Sequence, residues 1–517
     1  MARLDLTKTR FLIIDDFGNY RSMLRSILVS CGAQSIDDAS DARSALAKIT
    51  INPYDVILCD YNLGDGQNGQ QLLEEIMHRH LIPYGTIYIM ITAENTQSMV
   101  MAAVEYHPDG YLNKPFPKDL LLKRLEKLIE KKAIMKDIYS AYNQKKYSEA
   151  LYIADQKMLS HSKYALDIGK LKGEIALAAN KLDIAQEVYD KALSVRDFQW
   201  AKVGKAKVFI KQQDDDSAQV LLNEVINENN NYLEAYDLLA DILQRQNQAE
   251  EAQSLLSQAT KISPYTIARQ QTLAKIAIQN NDFSVAEKSL KQAVTIGQHS
   301  YFGKVDDNLD LVKLYADNGK SKQAKQTMLT TRKNYKKDKQ ALFHSEFVES
   351  MALYKLGNES KARDVFQQAI SHISGNLSEL PKELLADIIN TTDELGETEL
   401  ADALRYDIKN PSKEGQSNTE AMTQKYHYLL QNGRGMRYYN DNLIFESIKI
   451  FEDAADNLPD RISVNMNAAQ AILIYVKKSQ RHKDLLSKAR HYLDISKALD
   501  KNNDKYQKLE AIYTSLI

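Results

Sequence analysis

Asp15 and Asp16 follow the apolar run Phe11–Ile14, Asp60 closes the run Asp55–Asp60, Thr92 closes Thr86–Thr92, and Lys114 follows Gly110–Asn113. Three carboxylates, a hydroxyl and an ammonium at the ends of successive short runs are a set that can handle a phosphoryl group. Carboxylates gathered closely repel and raise one another's pKa unless a cation joins them. Mg²⁺ suits such a set, because it takes a few carboxylates, a carbonyl, waters and a phosphate oxygen in octahedral geometry. An Asp60 oxygen could then attack a phosphoryl donor, a weak nucleophile made effective by positioning and charge neutralisation. Alone, Asp15-Asp16 would pass for a helix N-cap; its register with Asp60, Thr92 and Lys114 carries the stronger reading.

Bringing these residues together requires a parallel sheet, whose functional groups collect at the carboxyl ends of its strands. The runs Phe11–Ile14, Ser35–Asp38, Asp55–Asp60, Thr86–Thr92 and Gly110–Asn113 read as five strands. Between them, Tyr20, Met23, Leu24, Ile27 and Leu28, then Ala42, Ala45, Leu46 and Ile49, then Leu72, Leu73, Ile76 and Met77 repeat at helical spacing. Strands alternating with helices give an α/β domain.

Phe11-Leu12-Ile13-Ile14-Asp15-Asp16, Asp55–Asp60, Ile91-Thr92-Ala93 and Lys114-Pro115-Phe116 resemble, in order and spacing over residues 8–132, the receiver (CheY-like) domains of two-component response regulators. The resemblance implies a flavodoxin-like sheet of strand order 2-1-3-4-5. It makes Asp60 the phosphoacceptor, Asp16 a direct metal ligand, Asp15 a ligand through water, and the Asn62 backbone carbonyl a further ligand. Lys114 would pair with the phosphoryl group, Thr92 would hydrogen-bond it, and Tyr111 stands where the family keeps its switch aromatic. The Lys114–Pro115 bond is expected to be cis. The segment Tyr61–Gly69 departs from the family by lacking its usual Pro and carrying an extra residue and more Gly. Asn62 and Glu94, each two residues beyond Asp60 or Thr92, stand where the phosphate lifetime is tuned.

From about residue 118 the period turns helical and stays so. Ala150, Ala185, Ala218, Ala252, Ala286, Ala324 and Ala362 recur at separations of 33 to 38 residues. Twelve residues before several of them stands Gly173, Ala206, Ala240 or Ala274, and four after stands Tyr189, Leu222, Leu256, Leu290 or Phe366. Small side chains let two helices of a hairpin approach, and the large one fills the gap against the next repeat. The pattern resembles the tetratricopeptide repeat, with turn residues Gly319 and Gly357 and a closing Pro264. A late copy carries Gly435, Tyr438, Phe451, Ala454 and Pro459, with Ser447 in place of the expected Ala. The resemblance implies an all-α superhelix of roughly nine or ten repeats. The expected division is a receiver over residues 1–132, repeats over 133–408, a linker over 409–420 around Pro411, and further repeats over 421–517; a second break falls at His372–Lys382.

A net charge of -2 gives no global field for nucleic acid or an anionic membrane. Cys31 and Cys59 are too few for a disulfide framework. The first sixteen residues lack a signal-peptide core, and apolar runs such as Thr86–Ala93 and Ala468–Val476 are too short to span a bilayer. A cytoplasmic bacterial protein without membrane insertion is therefore expected. His78 and His80 face different sides of a helix and read as a solvated end rather than a metal pair. Asp214-Asp215-Asp216 and the basic run Arg332–Lys339 read as wet surface.

No nucleotide loop, zinc pattern or nucleophile motif occurs in residues 133–517. The expected function is therefore a non-enzymatic phosphoacceptor whose repeats form an adaptor. Expected partners are a histidine kinase or phosphotransfer protein and further proteins in the repeat groove, with a homodimer also compatible. Two alternatives stand beside it: a modulator or phosphate sink of a kinase, and a nucleic-acid-binding regulator using the face that begins at Arg332. No Gly or Pro interrupts Lys118–Tyr147, so the last receiver helix is expected to run into the first repeat and couple phosphorylation at the surface of the fourth helix, fifth strand and fifth helix to the array.

Overall fold

The computed structural model describes residues 6–93, 105, 108–373, 377, 380–410, 419–479 and 483–517. Five parallel strands, β1 (Arg10–Ile14), β2 (Ser35–Ala39), β3 (Val56–Asp60), β4 (Ile87–Thr92) and β5 (Gly110–Asn113), form one sheet in the order β2-β1-β3-β4-β5. The register sets Phe11 beside Val56, Val56 beside Ile87, and Ile89 beside Gly110.

Because side chains alternate along a strand, the sheet feeds two cores. Leu12, Ile14, Ile57, Cys59, Tyr88 and Met90 pack with helices α2 (Ala42–Ile51) and α3 (Gly69–His78). Phe11, Ile13, Val56, Leu58, Ile89 and Ile91 pack with α1 (Gly18–Val29) through Leu24 and Leu28, and with Leu121 and Leu125 of the long helix Lys118–Asn143. Edge strand β2 carries Asp37, which accepts from the Tyr54 hydroxyl at 2.7 Å, and Asp38, which pairs with Arg25 at 2.5 Å. Charge on an edge strand discourages pairing with another chain.

Beyond β5 every regular element is helical among the described residues. The helix Lys118–Asn143 runs unbroken through residue 132, as the missing breakers predict, and its far end buries Met135, Ile138 and Tyr139 in the core of the first repeats. All seven periodic alanines are buried. Their packing partners account for the spacing: a Cβ built on Gly173 would sit 2.7 Å from the Tyr189 ring, on Gly204 2.4 Å from it, and on Gly435 2.7 Å from Phe451.

Lys145, Asn180, Gln213, Asn247, Asn281, Gly319 and Gly357 all have positive φ, and each stands five residues before one of the seven alanines. Each hairpin thus ends its first helix on a left-handed residue, which frees the chain to turn and satisfies the terminal carbonyls. The sequence pattern shows only the two glycines; the asparagines do the same work because their side chain tolerates this conformation. Gly396 and the buried Ala401 repeat the relation, as do Asn442 and Ser447, so a copy over Lys382–Lys409 joins those read from sequence. Ser447 is fully buried in place of Ala and donates to the Ile444 carbonyl at 2.7 Å, which is how the core accepts its hydroxyl.

The chain divides into two compact units, residues 1–307 and 308–517. The second is built around Phe347, Phe366, Tyr426 and Phe451. Pro411 and most of the expected linker, residues 411–418, lie outside the described residues, as do Glu94 and all of the expected fourth receiver helix except Glu105. No helix among the described residues is long and apolar enough to cross a membrane.

Candidate functional site

Strand β1 is followed directly by buried Asp15 and half-buried Asp16, while β3 ends in buried Asp60 and β4 in fully buried Thr92. Parallel register aligns these ends, so one oxygen from each of Asp15, Asp16 and Asp60 falls within 4.8 Å of the others. Lys114, just past β5, reaches across the gap: its Nζ donates to Asp15 Oδ2 at 2.7 Å and to Asp60 Oδ2 at 2.8 Å, and lies 4.1 Å from the centre of the Tyr20 ring. The Lys114 amide donates to the Thr92 carbonyl at 2.6 Å, and the Lys114–Pro115 peptide is cis as expected.

Burial raises the Asp60 pKa and the neighbouring Asp15 adds to this, while the Lys114 ammonium opposes it. Burial also disfavours charged Lys114, but the two carboxylates outweigh it and its pKa rises. One ammonium against three carboxylates leaves an excess of two negative charges. Asp16 Oδ1 is buried with no hydrogen-bond partner among the described residues. A divalent cation would answer both the excess charge and the orphaned oxygen, so the donor set fits Mg²⁺.

The loop after Asp60 is shaped by glycine. Gly64 and Gly66 have φ of 75° and 111°, and a Cβ on Gly69 would lie 2.0 Å from the Asp60 carbonyl oxygen. These left-handed turns bring the loop back on itself, and the Gly69 amide returns to the Tyr61 carbonyl at 2.7 Å. Asn62 is exposed, and its side chain accepts from the Gly64 amide at 3.2 Å. Tyr111 is half-buried in β5 beside Met90 and packs on the core that includes Leu12.

Two residues that sequence reasoning did not single out support the site. Arg21 donates to the Asp15 carbonyl at 2.6 Å and the Asp16 carbonyl at 3.2 Å, and pairs with Asp38 at 3.3 Å, fixing the loop that aims both carboxylates. Tyr20 covers Lys114. Tyr20 belongs to the periodic face of α1 in the sequence and Arg21 stands beside it, and nothing there separates either from ordinary helix residues. His78 sits at the exposed end of α3 as expected, yet its ring stacks edge-on against Phe302 at 4.7 Å.

Residues 11–126 match the family model described as response regulator receiver domain, and residues 233–266 match that of the tetratricopeptide repeat. The chain is 29% identical over 122 residues to chemotaxis protein CheY-3 of Vibrio cholerae, covering 24% of this chain and 92% of that one. It is 27% identical to chemotaxis protein CheY of Pseudomonas aeruginosa, covering 24% and 97%. Among solved structures, a two-component response regulator from Clostridium difficile is 28% identical, covers 24% of this chain and 97% of its own, and gives a TM-score of 0.22. With the sheet order, the carboxylate cluster and the family matches in agreement, the chain carries an N-terminal response regulator receiver domain, with tetratricopeptide repeat sequence behind it.

Proposed function

We propose that residues 1–132 form a phosphorylation-controlled receiver, that residues 133–408 and 421–517 are repeat arrays joined by a linker at 409–420, and that phosphoryl uptake on Asp60 alters which proteins the repeats bind. The carrying observation is the convergence of Asp15, Asp16 and Asp60 within 4.8 Å, with Lys114 bridging two of them. Mg²⁺ held by Asp15, Asp16, Asp60 and the Asn62 backbone carbonyl would supply charge neutralisation at the phosphoryl oxygens.

An Asp60 carboxylate oxygen forms the new O–P bond while the N–P bond to a phosphohistidine donor breaks, and the departing imidazole nitrogen keeps that electron pair. Lys114 moves from its carboxylate partners to a phosphoryl oxygen, and the Thr92 hydroxyl donates a hydrogen bond to another. Tyr111 turns inward into the room that Thr92 leaves. The donor is a histidine kinase or phosphotransfer protein, and the output is protein binding by the repeats. The chain acts on no substrate besides its own Asp60.

The test is incubation of the full chain with Mg²⁺ and acetyl phosphate, read by intact mass and peptide mapping. One phosphoryl group on Asp60, lost in Asp60→Ala and in excess EDTA, is the expected result. An unlabelled wild type that also takes no label from any competent kinase overturns the reading.

A further inference from the structure

Arg269 lies in the repeat helix Ile267–Gln279 with its side chain 1% exposed. A buried guanidinium costs several kcal/mol of lost hydration unless acceptors surround it. Asp237 supplies two, accepting from Nε at 2.8 Å and Nη2 at 2.6 Å. The other acceptor comes from the receiver: Glu105, the single described residue between Ala93 and Pro108, pairs through Oε1 with Arg269 Nη2. Glu105 Oε2 accepts from the hydroxyls of Ser263 at 2.9 Å and Thr266 at 2.7 Å. Both hydroxyl residues are buried and flank the turn at Pro264, whose carbonyl is held by Gln270 at 3.0 Å. Arg269 Nη1 is a further buried donor with no partner among the described residues.

Two hydroxyls and a guanidinium converging on one carboxylate are not needed to pack a repeat, whose core asks only for small and large apolar residues. They form a recognition site with a glutamate in it. A second contact lies along α3, where Gln71 Nε2 donates to the Ile296 carbonyl at 3.1 Å and His78 and Arg79 stack on Tyr301 and Phe302. On α3 Gln71, Glu74 and Glu75 are buried, although the sheet side of this helix is filled by Leu72, Leu73 and Ile76.

We propose that Ser263, Thr266 and Arg269 are a carboxylate-recognition site whose ligand is the receiver's own Glu105, so that the repeats use this surface to hold the receiver. Glu105 lies in the chain between Thr92 and Tyr111, the two residues that the phosphoacceptor reading sets in motion. Release of the contact by phosphorylation rests on the phosphoacceptor reading above; the docking itself rests on geometry alone.

Hydrogen exchange of the full chain, read by mass spectrometry over residues 263–273 and 296–303, tests both. In Glu105→Ala and in the isosteric Thr266→Val these amides should exchange about tenfold faster than in wild type, the effect of losing a hydrogen bond to a charged group. Phosphorylated wild type should resemble Glu105→Ala. Phosphoryl uptake on Asp60 is measured in each sample, and a Glu105→Ala chain that still takes it up has a folded receiver. Wild-type protection in both variants overturns the docking site. Wild-type protection in fully phosphorylated chain overturns release only. Failure of wild type to take up phosphate overturns the phosphoacceptor reading and leaves docking to be decided by the two variants.

Discussion

Leu125 and Met135 are buried ten residues apart on one uninterrupted helix, Leu125 in the core beneath the sheet and Met135 in the core of the first repeats. A helix rises about 1.5 Å per residue, so the two cores are joined by a rod of roughly 15 Å with no hinge. Lys132 fastens the middle of that rod to the receiver, pairing with Asp109 at 3.0 Å and donating to the Tyr84 carbonyl at 3.0 Å.

Inserting Gly-Ser-Gly-Ser after Lys132 should therefore split unfolding. In urea, wild type should show coincident exposure of the buried receiver thiol Cys59, read by thiol labelling, and loss of the environment of Trp200, the chain's one tryptophan, which packs beside Tyr189. The insertion should separate the two curves, since the receiver and the repeats would no longer share a rigid element. Coincident curves in the insertion variant would show that the rod does not couple the cores.

Removing the bridging ammonium should be severe without metal. Lys114→Met leaves Asp15 and Asp60 buried without their shared partner, and losing one side of a buried ion pair costs about 3–5 kcal/mol. Millimolar Mg²⁺ should restore part of the lost thermal midpoint and EDTA should abolish the recovery. A midpoint indifferent to Mg²⁺ would argue against a cation at the three carboxylates.

The two cysteines should differ sharply in reactivity. Cys59 is fully buried, and desolvation pushes its thiol up to about 12, so at pH 8 it stays protonated as well as shielded. Cys31 is only partly buried. Iodoacetamide at pH 8 should modify Cys31 alone, with Cys59 following only in denaturant; equal labelling of both in folded protein would contradict the core placement.

The small positions of the repeats should resist enlargement. Gly204→Ala drives a methyl to within 2.4 Å of the Tyr189 ring, and overpacking of this kind costs about 1–3 kcal/mol. The loss should appear as a lower urea midpoint by Trp200 fluorescence and should be reduced in Gly204→Ala with Tyr189→Leu. If the double variant recovers nothing, the steric account of the small residue fails.

Helix α2 should carry a pH-dependent cap. Asp41 accepts from the Ser44 amide at 2.8 Å, and this hydrogen bond, with help from the Ser40 hydroxyl, lowers its pKa. A lowered folded pKa gives stability that is complete above the unfolded value near 4 and is lost as pH falls through the folded value. Asp41→Ala should cost about 1 kcal/mol at pH 7. The gap between the two urea midpoints should narrow at pH 3; an unchanged gap would mean that the charge plays no part.

All five strands lie within a residue of the runs visible in sequence, because β-branched runs bounded by polar residues leave little choice of register once each face must be filled. Asp15, Asp16, Asp60, Thr92 and Lys114 were legible for the same reason: strand ends fix their positions, and parallel alignment brings strand ends together. The alanine period was legible because close helix approach forbids larger side chains at one place per repeat. Sequence did not reveal the left-handed Asn and Gln turns, since these residues are equally at home on exposed helix faces. The grip of Arg21 on two loop carbonyls was equally hidden.

Nor could it join Glu105 to Arg269, separated by 164 residues. Local pattern records which faces a segment must bury and which turns it can make, and so determines elements and the groups at their ends. A pairing between distant polar side chains leaves no periodic trace, because its energy arises only when both are brought out of water at the same place. That meeting, and with it the hold of the repeats on the receiver, was decided by the tertiary structure.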